Sequence, residues 1–403
     1  MKRILHTYIA FLILCACTQK EDIPFKNISE DFPILKSVIE NPDKYQVQIL
    51  YSQINEDDEG NRSIEHFSFN LNDNKYFYPA STVKLPVAIL ALEWLNEQAN
   101  PKLTPDSPML TDSIRSSQSP ALYDSSAVNR YPSIGHYIKK ILLVSDNDAY
   151  NRLYELLGQD YINSKFAAKG LTNTIINHRL NIPMSTEENR HFNPVTFYDD
   201  DFNPILHIPA SQTDRIYQNK DNPKIGKAYL DNGQRIDNAM DFTFKNRLSL
   251  SDLHGILQRV IFPENYSKDQ RFDITESDRI FLLKYMSMYP KDSSYPTYPE
   301  SSYPDSYSKF YKFGTSTSPI PSQFKIYNKT GQAYGHLLDA SYFVDEKSGI
   351  EFLVSAIIYV NENQTLNDNQ YEYDQVGFPF FAELGEYLYQ FELKRKLQLG
   401  TRD

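Results

Sequence analysis

Three short polar motifs lie far apart in a chain of 403 residues: Ser81-Thr82-Val83-Lys84, Ser145-Asp146-Asn147 and Lys329-Thr330-Gly331. Any fold that lets them act together must bring remote stretches of chain onto one cleft. A lone Ser-x-x-Lys arises by chance roughly once or twice in a chain this long, so the two rarer triplets carry the weight. Their surroundings suit them. The first motif opens an apolar run over 85–95 that predicts a buried helix, and the last follows the strand-like Phe324-Lys325-Ile326-Tyr327, with a second strand-like run at 352–360.

The chemistry of such a set can be argued residue by residue. A serine hydroxyl is a poor nucleophile at neutral pH and needs a base beside it. On a helix, residues three apart share a face, which puts the Lys84 amine within hydrogen-bonding reach of Ser81. To serve as that base Lys84 must be neutral part of the time, which calls for burial and a second cation nearby, the role open to Lys329. Ser145 can bridge the two lysines and pass a proton to the leaving nitrogen, while Asn147 can hold a substrate amide and contact Lys84. The Ser81 backbone N–H, at a helix start, is a donor for the charge that develops on an attacked carbonyl oxygen. Lys329 and Thr330 can hold a carboxylate, and Gly331 lets a substrate lie against the strand. An anionic substrate containing an amide is implied.

With this ordered trio the chain resembles the class A β-lactamases and penicillin-binding proteins. The resemblance implies an α/β (α+β) fold: an antiparallel sheet flanked by N- and C-terminal helices, plus a helical lobe, with the site at the seam. It implies acylation of Ser81 by β-lactams or related peptidoglycan-like amides, a second oxyanion donor in the backbone N–H of Gln332, and no cofactor or metal. Asn151, six residues after Ser145, stands in the relation that class A enzymes use to hold a deacylating glutamate. An ungapped count through Gly158 and Gly170 places Leu180 in the glutamate's position, with Glu187 and Glu188 seven and eight residues further on. Without a base to activate water, an acyl-enzyme would hydrolyse slowly. Three readings stay open: a serine hydrolase with rapid turnover, a slow penicillin-binding protein or D,D-carboxypeptidase, and a lipoprotein that keeps the pocket for binding only.

The N-terminus speaks to location. Met1-Lys2-Arg3, an apolar run over 9–14 and Leu14-Cys15-Ala16-Cys17 resemble a bacterial lipoprotein signal, with residues 1–16 removed and Cys17 lipidated. The expected anchor is lipid and not a membrane-spanning helix. Gln19-Lys20-Glu21-Asp22 resembles the export tag of surface lipoproteins in Bacteroidetes, so an outer-membrane lipoprotein, surface-exposed or facing the periplasm, is expected. A net charge of −11 argues against nucleic acid as a partner. A monomer is expected.

Past a tether at 17–30, residues 31–403 read as one catalytic domain: a sheet lobe from 31–79 and 320–403, and a helical lobe from 80–319. Helical periodicity marks 80–96, 134–144, 146–157, 249–261, 276–288 and 380–397; strands are predicted at 46–52, at 64–70 and on either side of 345–349. The acidic run 56–60 reads as a solvated turn. Residues 202–243 fit nothing in the class A pattern and read as an insertion beside the seam, either a passive surface feature or a lid. The 30 tyrosines and 24 phenylalanines are read as filling the core and lining loops, in preference to a sugar-binding face. His178 and His336 are read as structural.

Overall fold

A computed structural model describes residues 20–21, 24–57, 59–60 and 62–399. The cysteine expected to carry lipid, Cys17, lies outside them. Two N-terminal strands, β1 (Gln48–Glu56) and β2 (Arg62–Phe69), and three C-terminal ones, β3 (Phe324–Ala333), β4 (His336–Asp345) and β5 (Ile350–Tyr359), form one antiparallel sheet in the order β2-β1-β5-β4-β3. The short parallel pair of Lys20–Glu21 with Phe67 and Ser68 continues it at the β2 edge.

Alternation along the strands decides what each face meets. Phe352, Val354, Ala356 and Ile358 of β5 pack with Leu35 and Val38 of α1 (Pro33–Glu40) and with Phe380, Phe381, Leu384 and Leu388 of α7 (Phe378–Leu399). Leu353 and Ala340 face the other way, into a helical block of α2 (Lys84–Glu97), α3 (Ile134–Val144), α4 (Asn147–Ala168), α5 (Leu250–Ile261) and α6 (Glu276–Ser287). Helix α2 is apolar on every side, and buried accordingly, from Leu85 to Leu92.

The structure modifies several expectations. The tether drawn over 17–30 is not a free strap in its described part, because Phe25 and Ile28 are buried among the residues beneath α1 and α7. The two N-terminal strands run longer than predicted because their pairing continues through Asn55 with Ser63 to Glu56 with Arg62. Helix α4 continues past 157 to Ala168 through a break at Gly158 (φ 71°, ψ 157°), a conformation that glycine adopts readily. The helical lobe also holds a small sheet of Met109–Thr111, Val195–Tyr198 and Pro204–Ile208, which takes in the start of the 202–243 insertion. The rest of the insertion contains a hairpin, Ala228–Asp231 with Gln234–Ile236, turned at Asn232 and Gly233, both left-handed (φ 48° and 81°). This hairpin pairs in parallel with Thr365–Leu366, in the segment between β5 and α7.

Candidate active site

Ser81 sits in a single 3-10 turn, Ala80–Val83, that leads into α2; Pro86 occupies the first α-helical turn, where its missing N–H is tolerated. The buried residue before the serine, Ala80, is held at φ 48°, a conformation a residue with a Cβ rarely adopts. Ser145 caps the C-terminus of α3 in the left-handed conformation (φ 58°), and Asp146 then caps α4 by accepting a hydrogen bond from the Ala149 N–H at 2.8 Å. One tight junction between two helices thereby presents both Ser145 and Asn147.

The third motif arrives on β3. Gly331 lies so close to the serine turn that a Cβ there would stand 2.9 Å from Pro79 O and 3.1 Å from Ser81 N, so only glycine lets strand and turn meet. The three motifs converge. Lys84 Nζ donates to Asn147 Oδ1 at 2.7 Å, to Ser145 Oγ at 3.2 Å and to the Ser145 carbonyl. Lys329 Nζ donates to the same Ser145 Oγ at 2.9 Å and to Thr330 O at 2.7 Å. The direct bond foreseen between Lys84 and Ser81 is not made among the described residues. The amine turns instead to the Ser145 junction, where one carbonyl and two side-chain oxygens converge on it. That cluster of acceptors outweighs a single hydroxyl one turn away.

Both ammonium groups are out of water, and both are easier to deprotonate than an ordinary lysine. Lys84 is held well below the usual lysine value, chiefly by burial and then by the charge of Lys329; Asp146 opposes the shift. Burial lowers Lys329 to about 7, with Asp339 opposing and the Lys309 charge assisting. Lys309 is a group sequence reasoning missed. It is buried behind Lys329 and donates to Asn328 Oδ1 at 2.6 Å, while Asn328 Nδ2 donates to Asp339 Oδ1 at 2.9 Å. No local motif announces this trio, although Asn328 directly precedes Lys329 and Asp339 pairs across the sheet with Thr330.

Two clefts meet at Ser81. One, of about 410 Å³, runs past Ser145, Thr330, Gly331 and Gln332. The other, of about 560 Å³, takes in Ser81, Asn147, Leu180 and Gln332. The predicted set of Ser81, Lys84, Ser145, Asn147, Lys329, Thr330, Gly331 and Gln332 is therefore gathered around one point.

Leu180 lines the larger cleft together with Ser81. Asn151 clamps its backbone at both ends, with Nδ2 donating to Leu180 O at 3.0 Å and Oδ1 accepting from Leu180 N at 2.7 Å. Among the described residues no carboxylate lines either cleft. Glu188 is paired with Arg115 and Ser117, and Glu187 with Arg190 and His191, so neither substitutes for the missing acid. His178 is stacked on Tyr78 and His336 packs on Tyr359; neither reaches the clefts.

A sequence model described as the beta-lactamase enzyme family matches residues 34–276. No curated protein sequence matches the chain. Among solved structures the chain is similar to the β-lactamase of Desulfarculus baarsii DSM 2075 at 12% identity, covering 89% of this chain and 97% of that one with a TM-score of 0.46. It is also similar to PBP-A at 14% identity (89% and 96% covered, TM-score 0.48) and to the β-lactamase of Streptomyces albus G at 11% identity (89% and 99%, TM-score 0.45).

Proposed function

The chain belongs to the β-lactamase enzyme family, and from that premise we propose that it is a serine hydrolase of the class A type, acylated at Ser81 by anionic β-lactams or related amides. The observation that carries this reading is the single hydroxyl of Ser145 standing between the Lys84 and Lys329 amines, beside Ser81. In this reading neutral Lys84 takes the Ser81 proton, directly or through Ser145, and Ser81 Oγ attacks the substrate carbonyl. The N–H groups of Ser81 and Gln332 receive the developing oxyanion. Ser145 returns the proton to the leaving nitrogen as the amide C–N bond breaks. Asn147 holds the substrate amide, and Lys329 with Thr330 holds its carboxylate.

One observation favours a second reading of the turnover. Leu180, clamped by Asn151 at the cleft, offers no base to the water that must cleave the ester. The acyl-enzyme then persists, the behaviour of a penicillin-binding protein or a slow D,D-carboxypeptidase. Chromogenic cephalosporin turnover followed with intact-mass detection tests both. A stoichiometric adduct that decays slowly, and is absent in Ser81→Ala, supports acylation with slow release. Rapid multiple turnover supports the first reading alone, and neither adduct nor turnover removes the enzymatic reading.

For location we propose an outer-membrane lipoprotein lipidated at Cys17. It rests on the charged start, the short apolar run and the cysteine at its end. Incorporation of labelled palmitate that is lost in Cys17→Ser tests it, and unchanged labelling in that variant overturns it.

A further inference from the structure

The two clefts at Ser81 differ in kind. The one past Thr330 runs beside the Lys329 ammonium, whereas the larger one continues away from it along a wall that carries no ionisable acid, lysine, arginine or histidine. That wall is built of Tyr334, Tyr371 and Tyr373 with Asn181, Asn367 and Asn369. We propose that this second cleft is a neutral saccharide subsite, so that the substrate carries an uncharged sugar with hydroxyl and N-acyl groups at the end opposite its carboxylate. The proposal rests on the reading of Ser81 as the reacting residue and names the substrate class at that same site.

The chemistry of the wall selects the ligand. Tyrosine rings offer flat apolar faces on which the C–H face of a sugar ring can lie, and the amides supply both donors and acceptors for hydroxyl and acetamido groups. A charged group would enter such a cleft unpaired and lose its hydration without return. A purely apolar acyl group would make no use of the Asn181 and Asn369 amides.

The wall is held in place beforehand. Tyr334 (φ 54°) and Gly335 (φ 79°) form the two-residue turn between β3 and β4, both left-handed. The Gly335 N–H donates to the Tyr373 hydroxyl at 2.8 Å, and the Asn367 N–H donates to the Tyr371 hydroxyl at 2.8 Å, which fixes both rings. Asn367 and Asn369 also sit in the left-handed region, which asparagine tolerates. The insertion supports this segment from outside. Besides the parallel pairing, Asn367 Nδ2 donates to Leu230 O at 3.1 Å and Arg235 Nη1 to Thr365 Oγ1 at 3.1 Å. A Cβ on Gly226 would stand 2.8 Å from Gln364 O, so this contact too needs a glycine. The hairpin within 202–243 thus braces the segment that carries Asn367.

Titration of the full-length Ser81→Ala protein with tri-N-acetylchitotriose in a calorimeter tests the proposal, because the variant binds without reacting. Saturable binding is expected, weakened about tenfold by adding Tyr371→Ala, with Tyr371→Phe closer to the parent. Thermal melts establish that each variant is folded. Absence of binding up to about 20 mM, or binding indifferent to Tyr371 and Tyr334, overturns the subsite. Stronger binding of N-acetylphenylalanine amide than of the sugar, with the same tyrosine dependence, overturns the saccharide assignment. Acylation of the Ser81 protein by a cephalosporin is read separately. Sugar binding without acylation counts against the proposed reaction and upholds the subsite, whereas acylation without sugar binding does the reverse.

Discussion

Replacing Leu180 by glutamate tests the reasoning about turnover most directly. The residue is 6% exposed, lines the cleft with Ser81, and has its backbone fixed at both ends by Asn151. The substitution gives up the burial of a leucine, about 2 kcal/mol. It introduces a carboxylate whose ionisation is opposed by burial and favoured by the nearby amines of Lys84 and Lys329. A positioned general base contributes roughly 10²- to 10⁴-fold. The low end is the fair expectation for a side chain around which nothing else was arranged, so the acyl-enzyme lifetime should shorten about 100-fold, equivalent to about 2.7 kcal/mol in the deacylation barrier. The assay is a pulse of benzylpenicillin, removal of excess drug, and intact-mass sampling of the adduct. Leu180→Gln has the same size without the base and should leave the lifetime long. If Leu180→Glu folds, acylates and holds its adduct as long as the parent, or if glutamine shortens it equally, the missing base is not what limits turnover.

Lys84→Ala should lower acylation by roughly 10³-fold without loss of thermal stability, since the variant also removes a buried ammonium; stopped-flow acylation and a melt measure the two, and retained acylation removes Lys84 as the base. The pH dependence follows from Lys329, whose amine is lowered to about 7. Capture of an anionic cephalosporin should fall as pH rises through about 7 and the free amine loses its charge, while the methyl ester of the same compound should lack that limb. For stability the sign is opposite: the burden of keeping Lys329 charged in the fold is present in full below about pH 7 and lifts between 7 and the ordinary lysine value, so Lys329→Met should flatten the pH dependence of the melt over that window. Gly331→Ala should cost about 1–3 kcal/mol and slow acylation about 100-fold, because its Cβ meets backbone at Pro79 and Ser81 that cannot rotate away; a parent-like rate would show that seam to be loose.

Much of the site was legible because its residues lie in short runs tied to local structure. The apolar stretch after Ser81, the strand before Lys329 and the interval from Asn151 to Leu180 each survive in the fold. What escaped was set by distance or by backbone conformation. Nothing in the side chains of Ala80 or Ser145 announces a left-handed backbone, yet those two positions aim the serine and assemble the junction between α3 and α4. The Ser81–Lys84 pair followed from helical spacing, but a lysine has a long flexible stem and its head went to the richer cluster of acceptors. The parallel pairing of the insertion with Thr365–Leu366 joins segments about 140 residues apart and carries no periodic signal. Aromatic abundance, read as core and loop filling, conceals the tyrosines that line the cleft, because composition does not tell a wall from a core.

The balance of charge in the interior bears on the anionic substrate proposed for the site. Lys84, Lys329 and Lys309 are all buried, and the carboxylates that act on them are Asp146 near the first and Asp339 near the other two. Asp339 is itself raised by burial, so it compensates incompletely. The result is a pocket one negative charge short, in which each amine is easier to deprotonate than in water. An arriving carboxylate beside Lys329 and Thr330 supplies that charge and draws the Lys329 proton back on. Lys84 then feels both the restored cation, which favours its neutral form, and the substrate anion, which opposes it. Binding of an anion and retention of the charge on Lys329 are then two sides of one coupling, and a neutral analogue that fills the cleft equally well should be captured more weakly for want of it.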